Sequence, residues 1–241
     1  MESLTKNFAQ LDQDLFTLLK NFGYQPKVIF DVGASNGTWS YNISQVYSDA
    51  NYYLFEPLVD HFEDYKSLMD KILEKNPNFT FHQCALGEKS GEIQMNAFAN
   101  KFGSTALEIS SENPDIVKVP VKMWSLDDAM TELSLPIPQV IKMDTQGCEL
   151  SILKGASSIL GKVDVLLLES WLYRGYGENT PLFNELIQWL LPYNFRLWDI
   201  VGSFRNSDQV LGSIDCVFIN VQSFTDLELD FVKPWYYPQM D

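Results

Sequence analysis

Cysteine and histidine are scarce in this chain, and their scarcity argues against several classes of site. The 241 residues include three cysteines and two histidines. No two cysteines form a C-x-x-C pair, so neither a zinc site nor a disulfide framework is indicated. Unpaired thiols favour a reducing compartment, and we expect a cytoplasmic protein. His61 and His82 do not follow a nucleophile elbow, which argues against a Ser-His-Asp hydrolase.

Basic residues and long apolar runs are also scarce. Lys and Arg number 17 against 32 Asp and Glu, which gives a formal net charge of -15. Because nucleic-acid affinity depends on Lys and Arg that neutralise phosphates, we expect no nucleic-acid partner. No stretch is long and apolar enough to span a bilayer, and residues 1–23 lack the apolar run of a signal peptide. We therefore expect no membrane partner. A Walker-type phosphate-binding motif is absent as well.

The chain does contain an alternation of apolar runs and helical stretches. Strands are predicted at residues 28–32, 52–55, 79–84, 140–144 and 163–168. Helical spacing separates them, which predicts an α/β fold with a mostly parallel sheet covered on both faces. Residues 195–200 and 214–219 are predicted to pair as antiparallel strands. We expect one domain over residues 1–241, with a helical cap at 1–27 and an antiparallel or irregular insertion at 91–123.

A glycine turn follows the first predicted strand, in the sequence D-V-G-A-S-N-G. Gly33, Ala34 and Gly37 lie where the strand should pass into a helix, and glycine lets a backbone approach a ligand closely. A dinucleotide fingerprint would have three glycines and no acid. Here Asp31 precedes the turn and would repel a pyrophosphate, whereas S-adenosylmethionine carries two positive charges and no phosphate. The turn therefore favours S-adenosylmethionine over a dinucleotide.

Two further segments fit the same ligand. Glu56 follows the second predicted strand about twenty residues after the turn, where an acid can bind both ribose hydroxyls. Cys84 and Ala85 end the third predicted strand, where the adenine edge would lie. The alternative interpretation is an ordinary tight turn with an acid at a strand end.

Acids also follow the fourth and fifth predicted strands. Asp144 and Glu169 should face the same crevice as Gly33, because ligands of open α/β sheets bind at the carboxyl ends of the strands. The two carboxylates could hold a divalent cation such as magnesium, or one could act as a base toward a substrate hydroxyl. Lys142 is predicted to form an internal ion pair. Glu149 is interpreted either as a helix-start acid or as a functional residue.

Together these segments resemble the FkbM family of methyltransferases, from about residue 28 to residue 219. The pieces that carry the resemblance are IFDVGASNGTWS, FEPLVDHFEDY, CALGEKSGE, FGSTAL, WSLDD and IKMDTQGCELSILKGA. The resemblance implies a Rossmann-like class I fold, a seven-stranded sheet with helices on both faces and a terminal antiparallel strand. It further implies O-methylation of a hydroxyl on a sugar or natural product.

By the same resemblance, several residues receive roles. Asp31, Gly33 and Gly37 would line the methionine part of the cofactor, Glu56 would bind the ribose, and Ala85 would lie near adenine. Asp144 and Glu149 match the family's late acidic motif. We predict Asp144 as the first candidate for the catalytic base and Glu169 as the second. The loop at residues 171–177 is a candidate wall for the substrate, or else a packed surface loop.

Other functions predict other features. An NAD-dependent oxidoreductase would have a Tyr-x-x-x-Lys pair after the fourth or fifth strand, and none is present. A non-catalytic binding protein with the same fold would bind the cofactor without transferring a methyl group. Methylation of RNA is disfavoured by the negative charge. The identity of the acceptor and the oligomeric state are not encoded in a readable pattern.

Overall fold

A central seven-stranded sheet positions the site. The structure, a computed structural model, describes residues 8–99, 101, 103–109 and 115–224. The strands in this part are β1 (Val28–Val32), β2 (Asn51–Phe55), β3 (Phe79–His82), β4 (Ala85–Gly87), β5 (Gly91–Phe98), β6 (Ile116–Ser125), β7 (Val140–Met143), β8 (Val165–Trp171), β9 (Phe195–Arg205) and β10 (Leu211–Asn220). The α-helices are α1 (Phe8–Asn21), α2 (Thr38–Ser44), α3 (Glu63–Lys75), α4 (Leu126–Glu132), α5 (Glu149–Lys154) and α6 (Phe183–Leu190).

The order of strands in the large sheet is β3-β2-β1-β7-β8-β10-β9. The pairs on both sides of β1 and between β7 and β8 are parallel, and β10 runs antiparallel to β8 and β9. Buried parallel strands are expected to be mostly apolar, and β1 and β7 follow this pattern except for the buried charged residues Asp31 and Lys142. The Rossmann-like architecture with an antiparallel strand is therefore confirmed.

Helices cover both faces of this sheet. On one face, α4, α5 and α6 pack against β1, β7, β8 and β10. On the other face, α1, α2 and α3 pack against alternate residues of the same strands. The sequence predicts one apolar stripe on the first helix, formed by Leu4, Phe8, Leu11, Leu15 and Leu18. The buried residues of α1 are Leu15, Phe16 and Leu19, whereas Leu18 is 42% exposed. Leu4, the first residue of that predicted stripe, lies outside the described residues. Among the described residues, no helix has the length and apolar character needed to cross a bilayer.

A second sheet, of order β4-β6-β5, occupies the region predicted as an insertion. β5 and β6 are antiparallel, and β4 pairs parallel with β6. β3 was predicted to continue to Cys84, but it ends at His82 because the chain passes there into the second sheet. Residues Met95, Gly103 and Ala106 of this region line the cavity described below.

Two predicted boundaries differ from the observed ones. β8 continues to Trp171 rather than ending at Leu168, because β10 pairs with it as far as the partners Trp171 and Ser213. Glu169 therefore lies inside a strand instead of after it. Between the fourth and fifth predicted strands the sequence predicts one helix over residues 149–160. The observed helix ends at Lys154, and a 3-10 helix follows at Leu160–Lys162. A Cβ at the intervening Gly155 would lie 2.1 Å from the carbonyl oxygen of Gly87, so only glycine fits there.

Candidate active site

A cavity of about 860 Å³ lies at the carboxyl ends of the parallel strands. This volume is within the usual range for small-molecule sites. Residues in or just after β2, β1, β7, β8 and β10 line it, in the order in which these strands lie in the sheet. We call the part formed by Gly33, Ala34, Glu56, Cys84 and Ala85 the glycine-turn end. We call the part formed by Asp12, Asp144, Glu169 and Asp215 the carboxylate end.

The glycine turn is shaped by a close contact between two chain segments. Gly33 has φ +72°, and a Cβ on it would lie 2.1 Å from the carbonyl oxygen of Asp144. Its backbone N–H and that of Ala34 both donate to the Phe55 carbonyl at 3.0 Å. Position 33 thus requires glycine because the backbone that follows β7 lies so close to it, whether or not a ligand also lies against the turn.

Glu56 lines the cavity with its carboxylate fixed by the backbone. Oε2 accepts a hydrogen bond from the Ser35 N–H at 2.9 Å, and Oε1 accepts one from the Leu58 N–H at 2.8 Å. Burial raises the pKa of Glu56 to about 7 despite these bonds. Each carboxylate oxygen has a second lone pair, so the group can accept two further hydrogen bonds from a vicinal diol.

Asp31 and Gly37 were predicted to line the cofactor, but they do not line the cavity. Asp31 is completely buried beneath the wall, where Ser40 Oγ donates to its Oδ2 at 2.7 Å and Lys142 Nζ lies 3.1 Å from its Oδ1. Gly37 begins α2 with φ +81°, and a Cβ there would meet Met69 Sδ at 3.0 Å. Both residues therefore support the turn from behind, since strand alternation turns Asp31 toward α2.

Lys142 forms the predicted ion pair with Asp31, and it also links the glycine turn to Asp144. Its Nζ donates to the Gly33 carbonyl at 2.9 Å and lies 4.0 Å from Asp144 Oδ2. Burial lowers the pKa of Lys142, but the carboxylates of Asp31 and Asp144 outweigh burial and raise this pKa to about 12. The lysine therefore stays charged and is held by the turn.

Cys84 and Ala85 lie in an apolar part of the glycine-turn end. The other apolar residues of this wall are Leu58, Leu86, Met95 and Ala106. Burial raises the pKa of the Cys84 thiol to about 11, so the thiol is neutral and unreactive near pH 7. The wall can therefore enclose a flat, uncharged ring.

Asp144 is the most accessible acid of the cavity. Its side chain is 51% exposed. Gln146 Nε2 donates to its Oδ1 at 2.9 Å, and Tyr176 OH donates to Gln146 Oε1 at 2.5 Å. This chain of hydrogen bonds fixes one carboxylate oxygen. The other faces Lys142.

Glu149 is buried and does not line the cavity. Its Oε1 accepts hydrogen bonds from the Thr145 N–H at 2.8 Å, the Thr145 hydroxyl at 2.9 Å and the Gly147 N–H at 3.4 Å. Burial raises the pKa of Glu149 to about 7. Its observed contacts fix the loop that follows Asp144, so it acts on the site through that loop.

Three more acids complete the carboxylate end. Glu169 and Asp215 are directly opposite each other on β8 and β10. Asp12 reaches the cavity from α1, where its Oδ2 accepts a hydrogen bond from Trp39 Nε1 at 2.8 Å. Burial raises the pKa of Asp12 to about 6 and of Asp215 to about 7. Burial and the neighbouring acids Asp144, Glu149 and Asp215 raise the pKa of Glu169 well above its usual value.

Aromatic residues line the same end. They are Trp39, Trp171, Tyr176 and Phe204. Trp171 and Tyr176 belong to the loop predicted as a substrate wall, whereas Leu172 and Tyr173 of that loop are each 39% exposed and do not line the cavity. Aromatic faces of this kind can pack on sugar rings.

The sequence prediction missed Asp12 and Asp215. Asp12 is four residues before Phe16 and three before Leu15, so it lies on the buried face of α1, where an acid is unusual. Asp215 interrupts an apolar strand in the same way. Both acids stand out in the sequence, but whether their side chains face the cavity depends on how α1 and β10 pack.

Metal binding gains no support from the geometry of these acids. Among the described residues, no group of three or more His, Cys, Asp or Glu side chains is placed to hold a metal ion. A magnesium ion bound by Asp144 and Glu169 would therefore have no third ligand from a described His, Cys, Asp or Glu side chain.

Comparison with known proteins identifies relatives of this chain. Residues 31–197, more than half of the chain, match the methyltransferase FkbM domain. The chain is 28% identical over 175 residues to the hexuronic acid methyltransferase AglP of Haloferax volcanii, covering 72% of this chain and 68% of AglP. The crystal structure of methyltransferase FkbM from Methylobacillus flagellatus shares the fold, with a TM-score of 0.51 and 18% identity. That comparison covers 81% of this chain and 43% of the other.

The matched residues begin at Asp31 and include both the glycine turn and the loop after β7. The order of strands, the cavity at their carboxyl ends and the family match agree. The chain belongs to the FkbM family of methyltransferases.

Proposed function

We propose that this protein transfers the methyl group of S-adenosylmethionine to a hydroxyl oxygen of a small glycoside or natural product. The observation that carries the proposal is the single cavity with two unlike ends. One end offers a fixed acceptor for a diol beside an apolar wall, and the other offers carboxylates beside aromatic rings. A transfer between two molecules needs such adjacent sites.

The residues of the glycine-turn end fit the cofactor. Both oxygens of Glu56 are oriented by backbone N–H groups and retain lone pairs for ribose hydroxyls. The apolar wall of Leu58, Leu86 and Met95 suits an adenine ring. The acids of the cavity complement positive charge. S-adenosylmethionine supplies an electrophilic methyl group on a positively charged sulfur when it is bound.

Asp144 is our candidate for the base that accepts the proton of the acceptor hydroxyl. A neutral hydroxyl is a weak nucleophile, and a positioned base typically contributes about 10²–10⁴-fold to the rate. Asp144 is the acid of the carboxylate end that adjoins the glycine turn at Gly33, and Gln146 holds one of its oxygens in place. Glu169 is the second candidate, because its Oε2 is buried without a hydrogen-bond partner among the described residues.

The relatives support a sugar acceptor. AglP is described as acting on a hexuronic acid, and its similarity to this chain covers most of both proteins. The aromatic rings of Trp171 and Tyr176 give this cavity a surface on which a sugar ring can pack. We therefore place glycosides first among the acceptors to be tested.

The experiment is incubation with S-adenosylmethionine labelled in its methyl group and a panel of glycosides and hydroxylated natural products. We expect a labelled methyl ether, identified by mass spectrometry. Cofactor binding, measured by calorimetry, without transfer to any acceptor would favour the non-catalytic alternative. No cofactor binding would contradict the proposal. Parallel reactions with magnesium or a chelator test whether Asp144 and Glu169 share a metal, since only then should the chelator abolish transfer.

A further inference from the structure

Two carboxylates face each other across neighbouring strands at the wall of the cavity. Glu169 on β8 pairs in register with Asp215 on β10, and both line the cavity. Directly opposite residues of antiparallel strands have Cβ atoms about 4.5–5.5 Å apart, and like charges at such positions destabilise a sheet. The pair therefore needs a compensating positive charge or a proton.

Among the described side chains of the cavity wall, Lys142 is the cation that acts on this pair, and its charge lowers the pKa of Asp215 less than burial and the nearby acids raise it. Lys142 is already held by Asp31, the Gly33 carbonyl and Asp144. Lys101, the other lysine of the cavity wall, forms an ion pair with Asp64 and lies over the rings of Phe62 and Tyr65. No described arginine or histidine lines the cavity.

The hydrogen bonds of the pair are incomplete as well. Glu169 Oε1 accepts a hydrogen bond from Ser213 Oγ at 3.1 Å, but Oε2 is buried and has no partner among the described residues. Burial, together with the nearby negative charges of Asp144 and Asp12, raises the pKa of Asp215 to about 7. A buried acceptor without a donor destabilises the folded protein. A ligand with a charged N–H donor in the cavity would compensate the negative charge of the pair.

We propose that the acceptor of this methyltransferase carries a protonated amine, which Glu169 and Asp215 bind. This inference rests on the function proposed above and specifies its acceptor as an amino sugar or another amino alcohol. A uronic acid, the acceptor class of AglP, would bring a carboxylate against this end of the cavity. The aromatic rings of Trp171 and Tyr176 remain available for the ring of the acceptor.

The position of the pair separates it from the cofactor residues. Neighbouring strands lie about 4.7–4.9 Å apart, so β8 and β10 are about 10 and 14 Å across the sheet from β1. The pair lies beyond Asp144 as seen from Glu56. We therefore assign it to the acceptor rather than to the positive charges of the cofactor.

Binding of matched glycosides tests the inference. The probes are methyl glycosides of glucosamine, glucose and glucuronic acid, and the corresponding galactose series, titrated by calorimetry into protein saturated with S-adenosylhomocysteine. We expect the amino glycoside of at least one series to bind about tenfold more tightly than its neutral counterpart, and the uronic acid to bind most weakly. Binding is measured because it does not depend on which hydroxyl is methylated.

Asp215→Asn and Glu169→Gln should each reduce the preference for the amine to about twofold or less while the affinity for S-adenosylhomocysteine is unchanged. Asp199→Asn, an exposed position on β9, removes the same charge and should keep the preference. Amino glycosides that bind no better than neutral ones, including a failure of both to bind, would overturn the inference. So would a preference that persists in both variants. Failure of the wild-type protein to bind the cofactor would instead contradict the proposed function.

Discussion

The two ends of the cavity are built in different ways. The glycine-turn end uses short segments that each follow a strand of the large sheet, and all of them lie within residues 31–197 that match the family. The carboxylate end is assembled from parts of the chain far apart in sequence, namely α1, α2, the loop after β7, β8 and the loop after it, β9 and β10. Asp12 and Asp215, two of its acids, lie outside the matched residues. The glycine-turn end thus lies entirely within the family match, whereas the carboxylate end lies only partly within it, and we propose that the choice of acceptor is made at the carboxylate end.

This division can be tested because substitutions at the two ends should cause different functional defects. A change at the glycine-turn end should weaken cofactor binding, and a change at the carboxylate end should affect turnover or the acceptor. Asp144 and Gly33 lie where the ends meet, and changes there test how independent the two ends are.

The largest effect is expected from Asp144→Asn. Removal of the candidate base should lower kcat by about 10³-fold, while the Kd for S-adenosylmethionine should change less than threefold. Steady-state kinetics and calorimetry measure the two quantities, with Asp199→Asn as the charge-matched control. Unchanged turnover would remove Asp144 from the mechanism and transfer attention to Glu169.

Gly33→Ala should follow, with a loss of about 2–4 kcal/mol in the free energy of unfolding. The new Cβ would lie 2.1 Å from the Asp144 carbonyl oxygen, on a backbone with positive φ. Urea denaturation measures the loss. Gly161→Ala is the control, because a Cβ there meets nothing within 4 Å and φ is not positive. Equal stability of the two variants would contradict the close contact between the β1 and β7 ends.

Glu56→Gln should weaken cofactor binding by about 10–100-fold, because the amide keeps one oxygen acceptor and loses one hydrogen bond to a charged group, which contributes about 1.5–3 kcal/mol. At saturating cofactor, kcat should remain within about threefold of wild type. Asp144→Asn should instead lower kcat and leave cofactor binding nearly unchanged, and this contrast would show that the two ends act separately. A variant that keeps its cofactor affinity would show that Glu56 does not bind the ribose.

The smallest effect is a pH dependence of cofactor affinity. Because the pKa of Glu56 is raised to about 7, its carboxylate becomes protonated as the pH falls through 7 and accepts hydroxyl donors less well. Affinity should therefore rise severalfold, and at most roughly tenfold, between pH 6 and pH 8. Calorimetry at several pH values measures this rise. Glu56→Gln should lack it, and a rise of equal size in that variant would assign the titration to another acid.

Local patterns explain why the glycine-turn end could be predicted from the sequence. Gly33, Ala34, Glu56, Cys84 and Ala85 each end or follow a buried apolar strand, and parallel strands bring such positions to one edge. The structure places all five at the cavity wall. Their roles toward a cofactor stay a prediction.

The remaining residues could not be placed from local patterns. Asp31 and Gly37 belong to the same motif, but strand alternation and the packing of α2 on α3 direct them away from the cavity. Glu169 was expected after β8, and only the pairing with β10 puts it inside the strand. Asp12 and Asp215 require knowledge of how distant parts of the chain pack together.

The position of β10 has a consequence for the order in which the site can form during synthesis. β10 is the last described strand along the chain, yet it lies between β8 and β9 rather than at an edge. Until it emerges from the ribosome, the outer edge of β8 has no partner, and Glu169 faces no opposing strand. A nascent chain can thus complete the glycine-turn end of its cavity while the carboxylate end is still unfinished.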